Sequence, residues 1–280
     1  MRSPVHTLGL GDAALTLLRD LIHERTGLFF ETARYDLLAE RLAPLVVEQG
    51  FESFLDYYYL LKYDHAAGRE WPRVMDVLSV PETYFWREID QVRAVVEVVV
   101  PALVAGLRGA PLRIWSVPCA SGEEPLTIAM VLDQAGWFGR APIEIHGSDA
   151  SPAQIARARA GQYRQRAFRA LPEALRERYF RQHGESWIPD AGLANRISSW
   201  SVVNLMAAAE VAAMATAPVI FCRNVFIYFS VDRVRDVAER FAAAMPVPAY
   251  LCVAASESLL RVTDAFQLEE IGGSFVYVKR

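Results

Sequence analysis

A chain of 280 residues, 53% of them hydrophobic, can bury one large core or a core with a smaller unit beside it, which excludes intrinsic disorder. A formal charge of −4 argues against a nucleic-acid-binding surface spread over the whole molecule. The three cysteines, Cys119, Cys222 and Cys252, lie far apart in apolar runs without metal-ligand or redox spacing, so they read as reduced residues of a cytoplasmic protein.

The opening run, MRSPVHTLGLGD, has too short an apolar core for a signal peptide. From residue 12 to about 78 the spacing predicts several helices. Leu15, Leu18, Ile22 and Leu28-Phe29 recur near helical intervals, as do Leu37, Leu38, Leu42, Leu45 and Val46. Phe51, Phe54, Leu55, Tyr58 and Leu61 form a third group after Gly50, a helix stop. No strand-like alternation appears, so this part is expected to be a small helical unit. The long apolar stretch that follows, residues 95–107, is broken by Glu97 and Pro101 and is too short to span a bilayer.

Beyond about residue 90 short apolar runs alternate with amphipathic segments. Strands are predicted over residues 112–117, 143–148, 202–204, 219–222, 250–255 and 275–278, and helices over 124–134, 152–160 and 231–244. Such alternation predicts an α/β fold with a mostly parallel sheet and helices on both faces. Ligands bind such sheets at the carboxyl ends of the strands. Residues 162–200 interrupt the pattern. Their first half carries Arg164, Arg166, Arg169, Arg176, Arg178 and Arg181. Their second half sets Trp187, Ile188, Ile197 and Trp200 among turn formers, which suits a helix followed by a hairpin-like insert.

Four segments stand where chemistry is expected. In RIWSVPCASGEEP, residues 113–125, a strand runs into a loop of small residues and a helix starts near Glu123. Small residues admit a ligand to the backbone, but the two glutamates would oppose a phosphate and suit a cationic group such as an amine or a sulfonium. The alternative is an ordinary helix start whose acids favour the dipole. In IEIHGSD, residues 143–149, Asp149 at the strand tip can accept both hydroxyls of a ribose, or it can simply cap the next helix, although Ser151 is better placed for that. In VIFCRNVFIYF, residues 219–229, Arg223, Asn224 and Tyr228 follow a fully apolar strand and need either a ligand or internal partners. The run SVPETYFWRE, residues 79–88, reads alone as a linker with aromatic anchors.

In this order and spacing, the four segments resemble the chemoreceptor glutamate methyltransferase family (CheR type) over nearly the whole chain. Further matching runs are Val203-Asn204-Leu205, residues 256–259 (SESL) and the closing GGSFVY at 272–277. The resemblance implies a class I S-adenosylmethionine-dependent methyltransferase fold, Rossmann-like with a mostly parallel seven-stranded sheet. It further implies an N-terminal helical domain over residues 1–80, a catalytic domain over 81–280, and a small antiparallel β-subdomain inserted at about 162–200. Carried over by motif, Thr83, Arg87, Glu124, Asp149, Asn204, Leu205, Arg223 and Asn224 would surround S-adenosylmethionine, and Arg87 and Tyr228 would lie nearest the transferred methyl. Two departures bear on cofactor geometry. Pro81 stands where many family members have asparagine, and Pro118 enters the small-residue loop.

The implied reaction leaves a glutamate methyl ester and S-adenosylhomocysteine. A glutamate nucleophile is already ionised at neutral pH, so no general base and no metal are expected. Catalysis would rest on placing the carboxylate in line with the departing sulfur, with Arg87 orienting it and the Tyr228 hydroxyl donating near the methyl. The implied partner is the cytoplasmic helical bundle of a methyl-accepting receptor, without nucleic acid or membrane insertion. The arginines from Arg157 to Arg181 are expected either to meet acidic patches on that bundle or to pair internally with residues such as Glu173 and Glu177. A receptor tail peptide could add to an edge within residues 187–200. The alternative of another class is a non-catalytic module that binds S-adenosylmethionine or its product and signals by contact. A nicotinamide enzyme is disfavoured because the loop lacks Gly-x-Gly-x-x-Gly and carries acids where a pyrophosphate would sit.

Overall fold

The computed structural model describes residues 12–280, and the reading of the first eleven residues lies outside them. Apolar residues at helical spacing build the first unit. Helices α1 (Asp12–Thr26), α2 (Tyr35–Glu48), α3 (Phe54–Tyr63) and α4 (Ala67–Leu78) share a core of Leu15, Leu18, Ile22, Leu38, Leu42, Phe54, Tyr57 and Val74. Helix α2 stops at Glu48, just before Gly50 (φ +76°), a conformation that favours glycine. Helix α1 ends earlier than its apolar spacing predicts. Gly27 turns the chain with φ +78°, and Leu28 then pairs as an antiparallel bridge with Phe229 near the other end of the sequence. Leu37 and Leu55 are exposed, because neighbouring positions on their helices take the core face. Inside this unit the buried Glu70 accepts from the Tyr57 hydroxyl and the Gln49 amide, each at 2.8 Å, and pairs with Arg73 at 3.2 Å.

After the junction at 79–88 come α5 (Ile89–Ala94), a π-turn (Val95–Val99) and α6 (Val100–Gly106), stacked along the sheet. The sheet has seven strands, in the order β6 (Ile197–Val202), β2 (Ile143–Asp149), β1 (Leu112–Ser116), β7 (Val219–Phe221), β8 (Ala249–Cys252), β10 (Ser274–Lys279) and β9 (Gln267–Ile271). The first five run parallel, and β10 pairs antiparallel with both β8 and β9. Helix α7 (Glu123–Gln134) on one face and α11 (Ala208–Met214) and α12 (Val231–Ala244) on the other cover the sheet over separate apolar clusters, and α8 (Pro152–Ala160) follows β2. This is the α/β architecture of a class I methyltransferase, with a helical unit in front. No described helix is long and apolar enough to cross a membrane.

A second sheet of three short antiparallel strands lies in the insert, β3 (Tyr163–Arg164), β5 (Ser186–Pro189) and β4 (Phe180–His183), with β5 in the middle. Helix α9 (Glu173–Tyr179) precedes β4, and α10 (Ala191–Ala194) follows β5. One expectation is corrected here. Ile197 to Trp200 belong to the main sheet as its parallel edge strand β6, not to an insert hairpin, because Gly147 on β2 leaves room for the Trp200 ring. The segment from Trp187 to Trp200 is thus divided between two sheets, with β5 flanked on both sides and Ile197–Trp200 on the outermost strand of the main sheet. Strand β9 was not expected at all.

The arginines of this region are mostly paired within the chain. Arg169 and Arg166 reach Glu82 at 2.5 and 3.2 Å, Arg176 pairs with Glu173 and lies over the Trp187 ring, and Arg178 meets Asp133 at 3.0 Å. The Arg181 guanidinium donates to three backbone carbonyls, among them that of Glu177 at 2.8 Å.

Candidate functional site

One cleft of about 1050 Å³, its mouth included, opens at the carboxyl ends of β1, β2, β6 and β7. It collects Thr83, Arg87, Glu124, Asp149, Asn204, Leu205, Arg223, Asn224 and Tyr228, every residue the motifs proposed. These come from five separate segments, and only the parallel sheet brings them together.

The junction supplies the first. Within residues 83–87 the chain alternates its allegiance: Phe85 and Trp86 sink into the core, while Thr83, Tyr84 and Arg87 line the cleft. Phe85 is fully buried against Tyr163, Phe168 and Phe180 of the insert, which stabilises the junction by about 2–3 kcal/mol. Trp86 and Glu88 adopt φ of 72° and 47°, backbone held out of its preferred region by the packing around it. Arg87 donates from Nη1 to the Glu82 carbonyl at 2.6 Å and lies 5.5 Å from the Tyr84 ring centre. The aromatic anchors of the linker reading are Phe85 and Trp86, and Thr83, Tyr84 and Arg87 are left facing the cleft.

Gly122 (φ +97°) precedes helix α7, with Trp200, Tyr163 and Ala158 packed against it. Of the two glutamates at the helix start, only Glu124 lines the cleft. Glu123 is buried, accepts from the Ser121 hydroxyl at 2.8 Å, and is pushed up to about 6 by burial. Glu124 accepts from the Ser116 hydroxyl at 2.7 Å and from Arg223 Nε at 2.6 Å. Arg223 also donates to the carbonyls of Glu88 and Arg87, at 3.2 and 3.1 Å, and its side chain is 2% exposed. The internal ion-pair reading of Arg223 is therefore the one its contacts support. It holds Glu124 in place and ties the junction to β7, and neutralised in this way it presents no free charge to repel a cationic ligand. Each Glu124 oxygen keeps a lone pair for a further donor.

Asp149 is buried at the tip of β2. Its Oδ2 accepts from the Ala120 amide and its Oδ1 from the Ser151 amide, both at 2.9 Å, while Ser151 caps α8 by accepting from Gln154 N. Burial pushes Asp149 up to about 6 against the downward pull of these amides. A carboxylate so held lacks enough donors of its own and fits the paired hydroxyls of a ribose.

Asn204 is less free than its motif suggests. Its amide donates to the Arg25 carbonyl at 2.7 Å and accepts from Met206 N at 2.9 Å, so its side chain anchors α1 to the sheet. Leu205 is buried and offers an apolar wall. Asn224 (φ +62°), Phe226 and Ile227 donate their backbone amides to the carboxylate of Glu257, which also receives Ala254 N. This cradle shapes the loop that ends in Tyr228, whose carbonyl accepts from Phe29 N at 2.8 Å.

Several cleft residues carry no local signal in the sequence. Thr26 and Leu28 at the end of α1, Met75 of α4, and Gln154 of α8 all line the wall, so the helical unit closes one side of the site. Asp76 fastens that side by accepting from the Ser151 hydroxyl at 2.5 Å and from Ala153 N at 3.0 Å. An adenosyl sulfonium amino acid fits this donor and acceptor set: acids for its amine and ribose, apolar surface for its base, and an Arg223 cation already paired with Glu124.

Comparison with known proteins agrees with that chemistry. The family model described as "CheR methyltransferase, SAM binding domain" matches residues 81–273, and the model "CheR methyltransferase, all-alpha domain" matches residues 13–79. Chemotaxis protein methyltransferase 2 of Vibrio cholerae is 31% identical over 269 residues, covering 96% of this chain and 93% of that protein. Chemotaxis protein methyltransferase 1 of Pseudomonas aeruginosa is 27% identical, covering 96% and 99%. The Cher2 chemotaxis methyltransferase of Pseudomonas putida is 26% identical with the same coverage, 96% and 99%.

Proposed function

The chain belongs to the CheR methyltransferase family, and on that premise we propose that it transfers the methyl group of S-adenosylmethionine to glutamate side chains of a bacterial chemoreceptor or related sensory receptor. The observation that carries the reading is the meeting, in one cleft, of Glu124, Asp149, Arg87 and Tyr228 from four different segments. S-adenosylmethionine supplies an electrophilic methyl on a sulfonium. Glu124 would hold its amino group and Asp149 its ribose, with Thr83, Asn204, Leu205 and Asn224 around them and Arg223 acting through Glu124.

The substrate carboxylate is ionised at neutral pH and needs no base. Arg87, fixed by the Glu82 carbonyl and the Tyr84 ring, retains donors that can orient that carboxylate. Tyr228, its backbone pinned by Phe29, would donate its hydroxyl near the transferred methyl. Both roles are orientational, because tight pairing of the nucleophile would stabilise the ground state and slow the transfer.

The two family-model matches support an assignment of residues 1–80 as the helical domain and 81–280 as the catalytic domain. Three unpaired, buried cysteines accord with action in the cytoplasm. For a receptor tail peptide, the outer strand β4, exposed at Arg181, Gln182 and His183, is the edge best suited to strand addition.

The test is transfer of labelled methyl from S-adenosylmethionine to the cytoplasmic fragment of a receptor from the same cell. Glutamate esters release the label as volatile methanol in mild alkali, and that release is the expected result. Label that survives alkali would overturn the glutamate assignment. Binding of S-adenosylhomocysteine without any transfer would favour the non-catalytic module.

A further inference from the structure

Five buried side-chain polar atoms have no hydrogen-bond partner among the described residues: Trp71 Nε1, Gln91 Oε1, His146 Nε2, Gln154 Oε1 and Arg176 Nε. Of these residues only Gln154 lines the cleft. It stands on the first turn of α8, five residues beyond Asp149, and is 5% exposed. An amide oxygen buried without a donor destabilises the fold, and an apolar side chain of the same shape would remove that cost. A donor brought by a ligand removes it too.

The sheet order says which part of a ligand comes near. Strand β1 neighbours β2, and β2 neighbours β6, so the loops carrying Glu124, Asp149 and Leu205 follow one another across the sheet. With the amino-acid end at Glu124 and the ribose at Asp149, the base falls on the third side, among Ala150, Gln154, Val203 and Leu205. The other amide on that side, Asn204, is already bonded at both ends, to Arg25 and Met206. Gln154 is left, and its terminal amide turns about a soft torsion without moving the backbone.

We propose that Gln154 reads the base of the methyl donor, its Oε1 accepting from the exocyclic amine of adenine, and so makes the cleft selective for an amine-bearing purine. The inference rests on the S-adenosylmethionine reading of the cleft. Adenine offers an amine donor beside a ring-nitrogen acceptor, the pattern that a glutamine amide matches. A purine without the 6-amino group keeps the shape and the acceptors but leaves Oε1 unpartnered.

The experiment is titration calorimetry on the full chain with S-adenosylhomocysteine and with its analogue lacking the 6-amino group. Wild type is expected to bind the parent compound about 10- to 100-fold more tightly. In Gln154→Met the preference should fall to within about threefold, with circular dichroism reporting an unchanged fold. Gln154→Glu keeps an acceptor and should keep the preference, and this variant decides the matter if the methionine variant does not fold. A preference undiminished in Gln154→Met, absent in wild type, or lost in Gln154→Glu overturns the proposal. Failure of wild type to bind either compound overturns the methyl-donor reading itself.

Discussion

The Glu257 carboxylate accepts four backbone amides, with Phe226 N at 2.7 Å and Ile227 N at 3.3 Å on one oxygen, and Asn224 N and Ala254 N at 2.9 Å on the other. Burial raises its pKa above the ordinary carboxylate value and the amides oppose that rise, because a protonated carboxyl would turn an O–H against one of those N–H groups. Glu257→Gln keeps one accepting oxygen and turns an NH₂ toward two amides. At about 1–3 kcal/mol for each buried donor left unpaired, the change should cost about 2–6 kcal/mol. If the loop yields locally instead, the loss appears in the cleft, because that loop carries Asn224 and Tyr228. Urea unfolding followed by fluorescence reads the first effect, and calorimetry with S-adenosylhomocysteine reads the second. Stability within about 0.5 kcal/mol of wild type, together with unchanged affinity, would refute the reasoning.

Asp149 should make cofactor binding pH-dependent. Its pKa in the free protein is raised to about 6, so its contribution to stability is full below about pH 4 and lost as pH rises toward 6, whereas ribose hydroxyls favour the ionised form. Affinity for S-adenosylhomocysteine is therefore expected to be full near pH 7.5 and to fall toward tenfold per pH unit below 6; a profile flat from pH 5 to 8 would contradict this. Arg87→Ala should lower turnover about 100-fold or more, a larger loss than in cofactor affinity, and full turnover in a methyl-transfer assay would remove Arg87 from its orienting role. Gly147→Ala places a methyl carbon 2.4 Å from the Trp200 ring and 3.2 Å from Pro125. Overpacking there should cost about 1–3 kcal/mol and lower the thermal midpoint by several degrees, read by calorimetric melting.

Much of this was legible along the chain. Strands buried on both faces read as apolar runs, and chemistry collects at their carboxyl ends because parallel strands leave their loops on one side. Asp149, Glu124, Arg223 and Tyr228 were placed by that argument. Strand β9 escaped it because QLEEI, residues 267–271, is polar on an edge that solvent reaches, and its strand character comes from pairing with β10. Strand β6 was expected only at 202–204, and its start at Ile197 escaped because it depends on a tryptophan ring lying over a glycine 53 residues earlier. Periodicity in the sequence determined the class of fold and the helical unit, and polar residues at strand ends marked three of the segments that meet at the site, while the junction at 79–88 and Asn204-Leu205 were implied only by the family resemblance. Only the tertiary structure decided what each polar group does there. Arg223 became the partner of Glu124, Asn204 a tether for α1, Glu257 the anchor of a loop, and Gln154 an amide without a partner. Hydrogen bonds join groups by distance in space, and the distance along the chain between Arg223 and Glu124, or between Asn204 and Arg25, carries no trace of them.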